Sequence, residues 1–110
     1  MTVKNCLELV DSLCPSCVAQ EVKLQFLGEI EGRVRVELLE EEPSKDAPSD
    51  AELSEDTVLC VPAPYDRLYW LYLAAMLYFV SGYMERYEAC AALFNAAYRD
   101  YGKWLRRKGA

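Results

Sequence analysis

Apolar side chains recur at helical spacing in both halves of the chain, and an acidic stretch with prolines separates the halves. At the start, Thr2 is a suitable N-cap because its hydroxyl can accept a hydrogen bond from the first helical turn. The pair Cys14-Pro15 ends this first helix, since proline disfavours the helical conformation of the residue before it. The predicted helix has one apolar face, formed by Val3, Cys6, Leu7, Val10 and Leu13.

A second helix is predicted from the N-cap Ser16 to about Glu42. Its apolar residues recur every four positions and form one stripe: Val18, Val22, Phe26, Ile30, Val34 and Leu38, widened by Leu24 and Leu27. The opposite, solvated face is predicted to carry Glu21, Glu29, Glu31 and Glu37. Gly28 and Gly32 each cost a helix roughly 1 kcal/mol relative to alanine, so they predict close helix packing or a bend.

The pattern changes from residue 40 onward, where acidic residues, prolines and serines alternate without an apolar period. Such a segment cannot bury enough apolar surface to offset the entropy lost on ordering. We therefore predict an exposed, mobile loop over residues 43–57. The following residues, Val58-Leu59-Cys60-Val61, are predicted to form a short extended segment.

Two further helices are predicted in the second half. The third begins with Pro64 in its first turn and ends near Ser81, before Gly82, and the fourth runs from about Met84 to Arg107. The short break between them implies antiparallel neighbours. The predicted fold is all-α, a single domain of residues 1–110 built as a small bundle of about four helices, with an acidic loop between the second and third.

Charge is unevenly distributed along the 110 residues, whose net charge is −6. Residues 64–110 contain seven basic and four acidic side chains, whereas residues 1–42 contain four basic and nine acidic ones. This balance disfavours nucleic acid as the main partner, because phosphate binding needs a concentrated basic face. The cluster Arg106-Arg107-Lys108 is interpreted as a solvated helix end that complements the helix dipole.

The most apolar stretch, Leu68 to Met84, contains 17 residues without a charge. That length is at the lower limit for crossing a bilayer, and its tyrosines lie in the middle rather than at the ends. We therefore predict that the stretch is buried in protein and that the chain has no membrane partner. Six of the eight tyrosines fall within residues 65–87, where rings suit both core and contact surface: Tyr65, Tyr69, Tyr72, Tyr78, Tyr83 and Tyr87.

The pattern Cys14-Pro15-Ser16-Cys17 is the only one that resembles an active site, because two cysteines at a helix N-terminus can support disulfide exchange. Five cysteines without an N-terminal export signal predict reduced thiols in a cytoplasm. The sequence has no histidine, the usual general base at neutral pH, and no phosphate-binding loop. We predict no catalytic residues, no cofactor, no metal site and no enzymatic activity.

The order of several short motifs resembles that of small phage proteins. Residues 63–73 read Ala-Pro-Tyr-Asp-Arg-Leu-Tyr-Trp-Leu-Tyr-Leu, and Gly82, Glu85-Arg86-Tyr87 and Ala92-Leu93-Phe94-Asn95-Ala96-Ala97-Tyr98 follow. The first half is similar too, with Leu-Glu-Leu-Val-Asp at 7–11 and Glu-Ile-Glu-Gly-Arg at 29–33. This order resembles the head–tail connector or head-completion adaptor family of phages and prophages of Gram-positive bacteria.

The resemblance implies a helical structural protein that forms an oligomeric ring below the portal and extends the DNA channel. Its expected partners are the portal protein, neck or stopper proteins and further copies of itself. DNA would pass without sequence-specific binding. The expected location is the cytoplasm of the bacterial host during virion assembly and the virion neck afterwards.

Eight residues of the third and fourth helices are candidates for helix packing or partner contact: Tyr65, Leu68, Tyr69, Tyr72, Tyr87, Phe94, Tyr98 and Trp104. Two other functions stay open at this point. The first is a small cytoplasmic module that binds one host or phage protein through the same aromatic helices. The second is a thiol oxidoreductase that uses the Cys-x-x-Cys pair.

Overall fold

The computed structural model describes residues 1–40 and 53–109, and it confirms the predicted all-α bundle. The α-helices in the described residues are α1 (Val3–Leu13), α2 (Gln20–Arg33), α3 (Arg67–Val80) and α4 (Met84–Gly109). A π-helical segment, Val34–Leu38, continues α2 without a break. The largest helix contact joins α3 and α4, and α3 also packs against α1 and α2.

The core is centred on α3 because this helix is covered by the other three. Its fully buried side chains include Leu68, Tyr69, Leu73 and Leu77. The opposing surfaces come from α1, α2 and the segment before α3, with fully buried Val3, Cys6, Val10, Leu27, Ile30 and Val61. A helix that is apolar on nearly all sides is thus covered by protein along most of its length, while its last residues, Phe79 and Val80, are about half exposed. Among the described residues, no helix combines the length and the apolar character needed to cross a membrane.

The start of α1 is paired with the segment that leads toward α3. Thr2 caps α1 as predicted, since the backbone N–H of Asn5 donates to its Oγ1 at 3.1 Å. The N–H groups of Val3 and Lys4 donate to the carbonyls of Thr57 and Glu55, each at 3.0 Å. An isolated bridge between Thr2 and Val58 fits the predicted extended segment. Residues 53–57 of the predicted loop therefore lie against α1, and the rest of that loop is outside the described residues.

The predicted second helix was wrong at both ends. It begins at Gln20 with Ala19 as N-cap, because the Ser16 hydroxyl accepts a local hydrogen bond from the N–H of Val18 at 3.4 Å instead of capping a helix. The helical segment ends at Leu38, with the N–H of Leu39 donating back to the Val34 carbonyl at 3.1 Å, and Glu40 adopts a positive φ of 58°.

Two further local predictions were wrong, and one of two alternatives for the glycines of α2 is excluded. Leu13 is 55% exposed because α1 ends there, beyond the surface that α3 covers. Of the two alternatives predicted for the glycines of α2, close packing is excluded at Gly32, since a Cβ there would meet no atom within 4 Å. The third helix begins at Arg67, because residues 63–66, including Pro64, form a turn.

A buried polar cluster joins α2, α3 and the segment between them, and it overturns the prediction that Glu31 is solvated. The Glu31 carboxylate accepts hydrogen bonds from Tyr69 OH at 2.7 Å and from the N–H and Sγ of Cys60, each at 3.0 Å. The Tyr69 hydroxyl in turn accepts from the N–H of Val61 at 3.0 Å, and Arg35 lies 3.7 Å from the carboxylate. Burial, reinforced by Glu31, raises the pKa of Tyr69 and raises that of Cys60 to about 11. Glu31 is buried because these partners replace its water.

Candidate interaction surface

The eight candidate residues fall into two groups in the structure. Leu68 and Tyr69 are fully buried and Phe94 is nearly so, which makes these three residues part of the core. The remaining five are half-buried, with one edge in the bundle and the other toward solvent: Tyr65, Tyr72, Tyr87, Tyr98 and Trp104. Each of these five rings therefore packs into the bundle on one side and remains accessible to solvent on the other.

Aromatic contacts follow the length of the α3–α4 pair. Ring centroids are 5.5 Å apart for Tyr65 and Trp104, 5.3 Å for Tyr72 and Phe94, and 5.2 Å for Phe79 and Tyr87. Residue numbers rise along α3 while their partners fall along α4, so the two helices are antiparallel. Tilted rings at these separations are a favourable arrangement that stabilises the contact between the two helices.

The half-buried tyrosines also connect the pair to α2 and its π-helical continuation. Tyr72 OH donates to Glu29 at 3.2 Å, and Tyr98 OH donates to Glu37 at 3.1 Å. The Arg33 guanidinium lies 4.7 Å from the centre of the Tyr98 ring, a cation–π distance. Burial, with a contribution from Glu29, raises the pKa of Tyr72 to about 12. These hydroxyls therefore have partners within the chain.

A group of exposed apolar side chains lies where α3 ends and α4 begins. Four neighbouring side chains, which we call the apolar corner, are about half exposed: Phe79 at 49%, Val80 at 51%, Tyr83 at 58% and Met84 at 48%. Gly82, with φ of 85°, allows the tight turn that connects Phe79 and Val80 to Tyr83 and Met84. Exposed apolar side chains grouped at one turn are candidates for a contact site.

A cleft of about 340 Å³ lies beside the apolar corner, between the end of α1 and the α3–α4 turn. Its lining includes Cys14, Cys17 and Leu13, and Arg86 is stacked 5.6 Å from the centre of the Tyr83 ring. The cleft therefore extends the apolar corner toward α1.

Neither cysteine of the Cys-x-x-Cys pair occupies a helix N-terminus, because α2 begins only at Gln20. Cys14 is buried and Cys17 is exposed. A hydrogen bond with Cys14 is the main cause of a raised Tyr78 pKa, so this thiol contacts a phenol rather than a base. In the part of the chain that the structure describes, no three cysteine or acidic side chains are grouped to hold a metal ion.

The other end of α4 is basic. A shallow cleft of about 720 Å³ is lined by Tyr65, Asp100, Lys103, Arg106 and Arg107. Its acidic residue, Asp100, lies 3.8 Å from Arg67. The long helix thus connects an apolar corner at its start to a basic surface at its end.

The apolar corner was not predicted from the sequence. Its signal was the uncharged stretch, which continues past the end of α3 to Met84. No protein family matches the chain, and neither a curated protein nor a solved structure does.

Proposed function

We propose that this chain is a structural subunit of a phage head–tail connection. It would bind below the portal through the apolar corner and present its other surfaces to neighbouring copies and to the next neck protein. The observation that carries the proposal is the corner itself, four adjacent apolar side chains left about half exposed at one end of the bundle. The resemblance of the motif order to adaptor proteins supplies the biological setting.

A partner protein that covers the apolar corner would complete the burial of its four side chains. Fully burying a large apolar side chain is worth about 1.5–3 kcal/mol, so about half of that gain remains available at each of these residues. Exposed polar residues are next to the corner along the chain, with Ser81 in the turn and Glu85 and Arg86 on the first turn of α4. An apolar centre with a polar rim is the usual arrangement of a protein-binding surface.

The aromatic α3–α4 pair supports the proposal mechanically. Ring contacts continue from Tyr65 and Trp104 at one end to Phe79 and Tyr87 at the other. Such a pair holds the corner at the end of a stiff, antiparallel stem. A subunit that transmits force between a head and a tail benefits from a contact site on a rigid element.

The net charge of −6 is compatible with a channel subunit. An acidic lumen repels the phosphate backbone, so DNA would slide through the ring without being retained. On this proposal the protein acts in the cytoplasm of the infected cell and remains in the virion neck.

The test is to add the purified protein to DNA-filled, tailless heads of the phage encoded beside it and to image the particles. We expect density at the portal vertex and restored joining of tails. If a neighbouring neck protein binds these heads while this chain leaves them unchanged, the adaptor proposal is wrong.

A pair of variants connects this result to the corner. Val80→Ser with Met84→Ser removes apolar contact area from two exposed positions, and we expect binding to heads to fall at least about tenfold. The matched control is Val58→Ser, at a side chain that is 68% exposed and outside the corner. Equal binding by both variants would show that the apolar corner is not part of the surface that binds the heads.

The same corner favours one alternative, a module that binds a single host or phage protein. A stable one-to-one complex with such a protein, lost in the Val80→Ser, Met84→Ser variant, together with unchanged heads, would establish that alternative. Complex formation in the double variant would exclude the corner from this role as well.

A further inference from the structure

The face of α4 that points away from the bundle has a regular composition. Core residues of α4, such as Phe94, Ala97 and Tyr101, lie on the inner side. Opposite them runs a line of seven residues spaced alternately by four and three positions: Glu85, Ala89, Ala92, Ala96, Arg99, Lys103 and Arg106. Six of the seven are exposed and Ala96 is half-buried. We call this line the outer seam.

Charge changes sign along the outer seam. Glu85 and the adjacent exposed Glu88 lie near the start of α4, and Arg99, Lys103 and Arg106 lie in its second half. Within the described residues, none of these five side chains belongs to an ion pair. The centre of the seam contains only alanines. An acidic end, a small apolar centre and a basic end follow one another on a single face.

The helix dipole explains only part of this order. It favours acidic residues in the first turn and basic residues in the last, and its effect is confined to those turns. Arg99 lies about three turns before Gly109, where α4 ends. Arg99 and Lys103 are also four positions apart, a spacing at which like charges repel each other. The basic half of the seam is therefore extended beyond what an isolated helix would favour.

The seam is complementary to itself when it is reversed. We propose that two copies of this chain pair through their outer seams, with the two α4 helices antiparallel around a twofold axis near Ala96. Glu85 then faces Arg106 of the second copy, and Glu88 faces Lys103. Because the contact is isologous, each of these ion pairs occurs twice.

Helix geometry supports this register. Alternating spacings of four and three residues keep a seam facing its partner along a left-handed helix pair. The face from Glu85 to Arg106 extends about 32 Å at a rise of 1.5 Å per residue. At the twofold axis, the small side chain of Ala96 lies beside its counterpart, and Ala92 leaves room for the long side chain of Arg99 of the second copy. The complementary charges specify the antiparallel orientation, because a parallel pair would oppose like charges.

A second copy fits the seam better than a nucleic acid does. The net charge of −6 opposes DNA at long range, and the acidic half of the same seam would repel phosphates. The same net charge makes two copies repel each other at long range. Pairing therefore depends on the local charge complementarity of the outer seam. This inference does not rest on the proposed function, since it uses the outer seam and not the apolar corner. A twofold contact cannot repeat around a larger ring, so the pair would separate when subunits assemble.

Charge reversal gives a decisive test by sedimentation in solution. Glu85→Lys with Glu88→Lys makes the seam wholly basic at its charged positions, and Lys103→Glu with Arg106→Glu reverses most of its basic half. We expect the wild-type dimer to form at about 0.05 M salt and to weaken at about 1 M. Each variant alone should dimerise at least about tenfold more weakly, because like charges face each other. An equimolar mixture should form a heterodimer within about threefold of wild-type affinity, since opposite charges face again.

A matched control separates the seam from net charge. Glu8→Lys with Glu21→Lys changes the net charge as much as the first variant, at exposed positions of α1 and α2, and should dimerise at least as well as wild type. Circular dichroism establishes that each variant is folded. The inference is overturned by a wild-type monomer at about 100 μM and low salt, by variants that still dimerise, or by a mixture that does not. DNA binding by monomeric wild type, lost in the Lys103→Glu, Arg106→Glu variant, would assign the basic end to DNA instead.

Discussion

The buried carboxylate of Glu31 and the exposed apolar corner both reverse the usual placement of polar and apolar groups, and the comparison shows two different causes. Glu31 is only 6% exposed, yet Cys60 and Tyr69 supply hydrogen bonds in place of water. The side chains of the corner are about half exposed, and their outer surface is left to solvent. A buried polar group with partners marks a contact completed within the chain. An exposed apolar cluster marks a surface available to another molecule.

The largest expected effect comes from the core side of this comparison. Tyr69→Ala removes a fully buried ring and should lower the free energy of unfolding by about 3–5 kcal/mol. Tyr83→Ala removes the same ring from the corner, where it is 58% exposed, and should change stability by less than about 1 kcal/mol. Urea denaturation of the two variants measures the difference. Similar losses in both would mean that the corner is part of the core.

The carboxylate itself gives the next largest effect. Glu31→Gln keeps the shape of the side chain but replaces one acceptor oxygen with a donor, which opposes the hydrogen bonds from Cys60 and Tyr69. We expect a loss of about 1–3 kcal/mol, the usual cost of an unsatisfied buried group. Glu29→Gln is the control, because Glu29 is exposed and its amide can still accept from Tyr72. An equal loss in both variants would contradict a special role for the buried cluster.

The cluster also predicts how stability changes at alkaline pH. The pKa of Cys60 is raised to about 11 in the folded chain from an ordinary value of 9.0, chiefly by burial and next by Glu31. The neutral thiol of Cys60 therefore contributes its full stabilisation at pH values below its ordinary pKa of 9.0. This contribution is lost as the pH rises from 9.0 toward 11. Between about pH 8 and 10, the free energy of unfolding should therefore fall less steeply in Cys60→Ala than in wild type. An unchanged slope would show that Cys60 does not contribute. The free energy of unfolding should still fall with pH in the variant, because burial also raises the pKa of Cys6, to about 12.

Much of the fold followed from local patterns, because these act within a few residues. Thr2 caps α1 as predicted, and α4 begins at the predicted Met84. The burial of Glu31 was not predictable in this way, since its partners Cys60 and Tyr69 lie 29 and 38 residues further along the chain. Periodicity placed a glutamate on a polar face, and tertiary contacts reversed the assignment.

The candidate surface shows the same limit. Aromatic content identified α3 and α4 as important, but sequence alone did not separate the buried Tyr69 from the exposed Tyr83. That distinction depends on where α3 ends relative to α1 and α2. The corner arises because the apolar stretch continues through the turn at Gly82, beyond the surface that the other helices cover.

The smallest expected effect on stability is the most informative about function. Val80→Ser with Met84→Ser changes residues at the last position of α3 and the first of α4, both about half exposed. Because the folded state already leaves these side chains in water, we expect the free energy of unfolding to change by no more than about 1 kcal/mol. Binding to portal-bearing heads should nevertheless fall at least about tenfold, since the lost area is buried only in the complex. A variant that loses binding while keeping its stability assigns the corner to partner contact. If stability instead falls by several kcal/mol, the corner belongs to the fold, and its exposure has no bearing on assembly.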